Sequence, residues 1–528
     1  MNSASPEKYL VETMGSGVAL FDYDGDGRLD IFFVNGGLVP GVTDPSPVRH
    51  ALYRNLGQGR FRDQTSAAGI KASQGYGQGA AVADYDGDGD EDLLITNFEG
   101  RNVLYANQGD GTFEDQTDEA GVAGDGRWSA SAAFLDFDND GDLDLYVTRY
   151  LDHNFGNNRV CGPWLEKGIR TYCSPKVYDG LPDLLYRNNG NGTFTDVSEQ
   201  AGIARYAGKS LGVVAGDFDW DGWIDIYVAN DSQGNYLFRN LGNGTFDEIG
   251  LNMGVAFDEN GAPQAGMGTD MADFNGDGLP DIAVTNLDVE YLALYLNHDS
   301  FFEEVAALFE VKLASRNLVG FGVRFLDFDN DSDLDILAVN GHIIDNIVQI
   351  RPGSSYAQPK LLFENRDGRF VNQAGRPGDL LSRPQVSRGL AVGDIDQDGD
   401  LDAVVSNCGQ GPMLMSNDHG NGKNWLEVRL KGIESNSNGI GARLELWVGD
   451  KRFRTQVLGG ASYLSASPYW VHLGLGERTE VDELTIRWPS GTVDTLKGIR
   501  ANQRLQVIEG SHGSSQKLSH RPGPADAR

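Results

Sequence analysis

The stretch FDYDGDGRLDIFFV, residues 21–34, places Asp at 22, 24, 26 and 30 and Gly at 25 and 27, then turns apolar. Four carboxylates so close repel one another, and the loop is poor unless a positive charge sits in it. The pattern D-x-[DN]-x-D-[GS]-x-x-D returns six more times. Its positions 1, 3, 5 and 9 are Asp84, Asp86, Asp88 and Asp92; Asp136, Asp138, Asp140 and Asp144; Asp217, Asp219, Asp221 and Asp225; Asp273, Asn275, Asp277 and Asp281; Asp327, Asp329, Asp331 and Asp335; and Asp394, Asp396, Asp398 and Asp402. The first Asp residues stand 62, 52, 81, 56, 54 and 67 apart, so the chain is a repeat architecture.

Hard oxygen ligands in a short flexible loop suit calcium. The side chains at positions 1, 3, 5 and 9 are expected to converge on one ion. The backbone carbonyl of position 7 is a further ligand: Arg28, Asp90, Asp142, Trp223, Leu279, Asp333 and Asp400. The start resembles an EF-hand, but position 12, where an EF-hand has a bidentate Glu, is Phe33, Ile95, Val147, Val228, Val284, Ala338 or Val405. The loop therefore closes at position 9 and feeds a strand. About five to seven bound calcium ions are expected. The fifth loop has Asn275 and Pro280, and the sixth has Ser332 in place of Gly, so these two are expected to bind more weakly.

A second element follows each loop: LYRN at 52–55, LYAN at 104–107, LYRN at 185–188, LFRN at 237–240, LYLN at 294–297, LFEN at 362–365 and LMSN at 414–417. Several continue into a Gly turn between apolar segments, which signals a hairpin. Four strands in each of seven units predict an all-β fold, a seven-bladed β-propeller over residues 1–420. The seventh unit has no fourth strand, and residues 8–13 are expected to supply it. The long insertions, 150–181 and 341–360, fall opposite the acidic loops, and a partner site is expected there. Residues 424–510 alternate as a small all-β domain. The polar stretch 511–528 reads as a disordered tail.

Net charge is −34, and 27 of the 77 acidic residues occupy the loop positions. Nucleic acid is excluded as a partner on charge grounds. No apolar run is long enough to span a membrane. The opening MNSASPEKYL lacks the regions of a signal peptide, so either the protein stays inside or the sequence begins downstream of the true start. Cys161 and Cys173 share an insertion, and either a disulfide or free thiols is open there; Cys408 is left over.

The loops, with GVALFDYDGDGRLDI at 17–31, resemble FG-GAP/VCBS repeats, the units of the integrin α-chain propeller. The segment NWLEVRLKGIESNSNGIGARLELWVG, followed by VHLGLG and WPSG, looks like the ASPIC/UnbV domain. Together, over residues 8–510, they resemble the cartilage acidic protein family. The resemblance implies calcium in the loops, an extracellular or periplasmic setting and no established reaction.

No H-E-x-x-H or G-x-S-x-G occurs. GKS at 208–210 fails as a P-loop, because Gly202 is one residue too far upstream and a strand follows. His342 reads as a structural hydrogen-bonding residue and His472 as domain core. The leading reading is a calcium-binding adhesion module for a protein or glycan. The competing one is a polysaccharide hydrolase working in the propeller funnel, its carboxylate pair hidden among the acidic residues.

Overall fold

The computed structural model describes residues 5–42, 48–72, 75–366, 368–375, 379–420, 422–511 and 516–517. The fold is all-β. Each acidic loop joins the first two strands of an antiparallel sheet, as where Val18–Phe21 pairs with Asp30–Phe33. The first six repeats form four-stranded sheets of the order expected. The first strands are rich in small residues and buried; they touch in cyclic order, and that of the seventh repeat, Ser387–Gly393, meets that of the first.

The second repeated element locks this ring. Its final Asn donates through Nδ2 to the carbonyl of loop position 2 in the preceding repeat, at 2.6–3.2 Å in all seven cases. For Asn55 of the first repeat the acceptor is Ile395 of the seventh. That bond closes the ring between the first and last repeats.

One expectation fails here. The seventh sheet keeps three strands, ending at Met413–Met415. Residues 8–13 do not complete it: Leu10–Thr13 is a buried 3₁₀ turn on the axis. Leu10, Val11 and Met14 pack there with Tyr172, Phe321 and Tyr463, because three apolar side chains in five residues bury more surface centrally than on an outer strand. Of the tail 511–528, Gln516–Lys517 pair with Leu505–Gln506 as a strand, where backbone ladder bonds outweigh polar side chains; beyond Ser511 the rest lies outside the described residues.

The C-terminal part forms two four-stranded sheets over a shared core that includes Leu426, Leu446, Ile486 and Val507. Between the strands Lys451–Gln456 and Trp470–Gly476 it sends residues 457–469 into the propeller axis. There Gly459 exchanges backbone hydrogen bonds with Ala215, Ser462 with Thr269, and Ala466 with Val18 and Leu20. The Ala80 amide donates to the Leu464 carbonyl at 3.0 Å. Tyr463, fully buried, donates to the Met14 carbonyl at 3.1 Å and meets Phe321 edge-on. The axis is thus filled from one end by this segment and from the other by residues 5–16. What stays open beside it is a cavity of about 170 Å³ between the two domains, lined in part by Asp270, Arg324, Glu427 and His472.

On the insertion face, Cys161 and Cys173 form a disulfide, and Arg170 pairs with Glu7 at 2.9 Å. Asn346 of the second insertion donates to the Arg170 carbonyl, so both insertions and the N-terminal segment pack as one layer. No helix among the described residues is long and apolar enough to cross a membrane.

Candidate metal-binding loops

In six of the seven loops the Asp at position 1 accepts the amides of positions 5 and 6, as Asp136 does from Asp140 at 3.1 Å and Gly141 at 3.2 Å. In the second, Asp84 accepts that of Gly89, while the Asp88 amide turns to Asp86. The chain must bend sharply to allow this, and position 6 has φ between 84° and 104° in every loop. Glycine tolerates that region; Ser332, at 84°, bears the steric cost. Position 5 accepts the amide of position 7, as Asp221 does from Trp223 at 3.0 Å. Position 9, at the start of the second strand, accepts two amides, one from position 2 and one from the Asn of the second element. For Asp335 these are Phe328 at 3.0 Å and Asn365 at 2.7 Å.

These bonds hold carboxylates against one another. The oxygens of positions 1, 3 and 9 lie within 4.8 Å in Asp22, Asp24 and Asp30; Asp84, Asp86 and Asp92; Asp136, Asp138 and Asp144; Asp217, Asp219 and Asp225; and Asp327, Asp329 and Asp335. Position 5 belongs to none of these triplets. Burial, reinforced by neighbouring carboxylates, pushes Asp281 up to about 8 and Asp335 to about 9. Asp22 and Asp136 rise to about 7 for the same reasons. An oxygen-rich, crowded pocket of this kind fits a hard divalent cation, which would supply the missing positive charge.

Several participants escape sequence reading. In the first repeat, Arg54 is buried with Nε 2.6 Å from Asp24 and its other end 3.1 Å from Asp26. Position 4 bridges to the next loop wherever it is not Gly: Asn139 donates to the Gly222 carbonyl, Trp220 to Gly278, Asn330 to Gly399 and Gln397 to Gly27. The C-terminal domain covers this face of the ring. Arg443 reaches Asp217 at 2.6 Å and Arg504 reaches Asp394 at 3.0 Å, while Lys423, just ahead of the domain, reaches Asp329 at 3.2 Å. The Asp84 amide donates to Asn438, and the Asp217 amide to Gln456. Basic residues scattered through a domain of no repeat pattern carry no signal of where they dock.

His342 is buried, with Nε2 3.1 Å from Asp288 and Nδ1 accepting the Ile344 amide, which is the structural role expected of it. His472 departs from the core role: its Nε2 lies 2.8 Å from Asn330 Oδ1, at the contact between the domains, because its strand Trp470–Gly476 faces the sixth loop. Ser210 bonds Asp183 and Asn230 within a strand, and no phosphate loop exists there.

The FG-GAP-like repeat family matches residues 22–95, 84–147, 178–228, 217–284 and 273–338, and the ASPIC and UnbV family matches 432–514. Cartilage acidic protein 1 of Mus musculus is 27% identical, covering 96% of this chain and 76% of its own. That of Homo sapiens is 25% identical, covering 99% and 76%. Among solved structures, the BP39L lectin from Burkholderia pseudomallei is 12% identical, with a TM-score of 0.41, covering 76% of this chain and 100% of its own.

Proposed function

Since the chain belongs to the FG-GAP-like repeat proteins and is related over nearly its whole length to cartilage acidic protein 1, we propose that it is a calcium-stabilised extracellular binding module for a protein or glycan. The observation that carries this is the repeated convergence of buried carboxylates at one end of a closed ring. Calcium there is structural: it neutralises the loops and stiffens the face on which the C-terminal domain sits. The all-oxygen donor set favours calcium over softer metals. The Cys161–Cys173 disulfide supports an oxidising compartment. The partner surface lies on the insertion layer, where Val160 and Val348 stand exposed on a scaffold braced by the disulfide. A hydrolase would need an open funnel, and the filled axis favours the binding module instead.

The test is thermal unfolding with calcium, with magnesium and with EGTA, together with a count of bound calcium. A calcium-specific rise in Tm with about five to seven ions bound is expected, since a ligand of the native state alone raises stability by mass action. No rise and no bound calcium overturns the metal reading.

A further inference from the structure

Six repeats close with a fourth strand that begins with Phe and ends, two residues on, with an acid or Asn, as in Phe113–Asp115 and Phe246–Glu248. This strand does two things. The amide that follows it donates to the carbonyl of the third-strand Leu, at 2.8–2.9 Å in all six. Its Phe packs on the ring at loop position 2 of the preceding repeat: Tyr23 with Phe113, Tyr85 with Phe194, Phe137 with Phe246, Phe218 with Phe302 and Phe274 with Phe370, at 5.7–6.2 Å.

Among the described residues the seventh repeat has neither feature. Leu414, the equivalent of Leu52, Leu104, Leu185, Leu237 and Leu294, is 38% exposed where each of those is 0%. Phe328, the position 2 ring of the sixth repeat, is met by His419 at 5.4 Å and by no Phe. Beside them runs a groove of about 520 Å³ lined by Phe328, Leu362, Leu381, Leu401 and Met415.

We propose that this groove takes an extended segment of another protein, which adds itself as the fourth strand of the seventh repeat and sets a phenylalanine against Phe328. The six internal strands supply the template: Phe, any residue, then an acid. An open ladder edge beside an apolar slot suits strand addition by a peptide and offers a sugar little to bind. None of the residues of this sequence outside the described ones is Phe, so none of them matches this template. Nor is the occupant a second copy, whose six such strands are paired within their own sheets. The inference goes beyond the binding-module reading: the groove is a second surface, apart from the insertion layer, and it does not depend on calcium.

The probe is the peptide QGDGTFEDQT, the sequence of residues 108–117, titrated into the full chain in calcium by calorimetry, with amide exchange followed in parallel. Saturable binding is expected, with slowed exchange at Leu414 and Ser416. Replacing the peptide's Phe by Ala should weaken it roughly tenfold or more. Two variants keep the test open to failure: Leu414→Pro removes the edge amide, and Leu381→Trp narrows the groove without touching the ladder. Each should weaken binding by a similar factor while Tm in calcium shows the chain folded. Absence of binding to a chain that retains its calcium-dependent Tm overturns this inference and leaves the calcium reading standing. Binding indifferent to the Phe→Ala change, or to both variants, overturns it as well.

Discussion

Asn55 and Ile395 are 340 residues apart in sequence and joined by a 2.9 Å hydrogen bond, the side-chain amide of the first repeat donating to the loop carbonyl of the seventh. Asn55 also donates to the Leu29 carbonyl and accepts the Gly57 amide, so one buried side chain satisfies three backbone groups. Removing it leaves them unpaired. Asn55→Ala should therefore lower unfolding free energy by about 2–4 kcal/mol. Asn243→Ala deletes an exposed turn Asn bonded only to Thr245, and should cost less than about 1 kcal/mol. Denaturant unfolding of the two variants side by side checks the difference; equal losses would deny Asn55 a role in closing the ring.

Ser332 is the only non-glycine at loop position 6 and sits at φ 84°. Ser332→Gly relieves that strain at the expense of a more flexible unfolded chain, and a net gain of about 0.5–1 kcal/mol is expected. With the loop free to close, calcium should bind the sixth site more tightly. Calcium titration of the variant against wild type reads both effects, and an unchanged Tm with unchanged affinity would show the serine to be accommodated without strain.

Glu12 is buried in the axial plug, accepting the Ser5 amide at 2.7 Å and the Ser5 hydroxyl at 3.1 Å. Burial pushes it up to about 7, against which those hydrogen bonds work. Between pH 4.5 and 7 the native state then holds a proton that the unfolded chain has released, so this group makes stability fall as pH rises through that window. Glu12→Gln removes the dependence. The variant should match wild type near pH 4.5 and exceed it above pH 7 by up to about 3 kcal/mol. Chemical denaturation of both proteins at the two ends of the window measures it; a constant offset would mean Glu12 titrates normally.

What the sequence made legible follows from where its signals repeat. Seven Asp clusters ahead of β-branched runs disclosed the sheets, the loops and the hairpins, because each was written several times. The LYxN element is visible too, but nothing local in it points to a partner for its Asn. Its partner, a carbonyl in the preceding repeat, is non-local and chemically featureless in sequence. The same holds for the axis. Small residues such as Gly17, Gly79, Gly268 and Gly389 line it, and Gly459 of the inserted segment packs against Phe134 and Ala215, but a lone Gly in a strand is ambiguous between bulge and close approach. Counting strands puts residues 8–13 on the outer edge of the seventh sheet, and that rule says nothing of where apolar surface buries best.

Gly17 makes that close approach testable. A Cβ there would stand 1.6 Å from the Leu464 carbonyl oxygen, a backbone atom that cannot swing aside. Gly17 also donates its amide to the Gln78 carbonyl at 2.7 Å, which holds its own strand in place. Gly17→Ala must therefore displace the inserted segment or break the ring, and a cost of at least about 2 kcal/mol is expected. Because residues 457–469 tie the two domains together on the axis, the displaced segment should become open to protease while the propeller sheets stay resistant. Limited proteolysis with cleavage sites mapped by mass, set beside thermal unfolding, separates the alternatives. Cleavage confined to residues 457–469 places the axial contact at the centre of domain docking. Loss of all sheets together would show instead that the ring cannot stand without its plug, and an unchanged pattern would mean that Gly17 and Leu464 are not in contact.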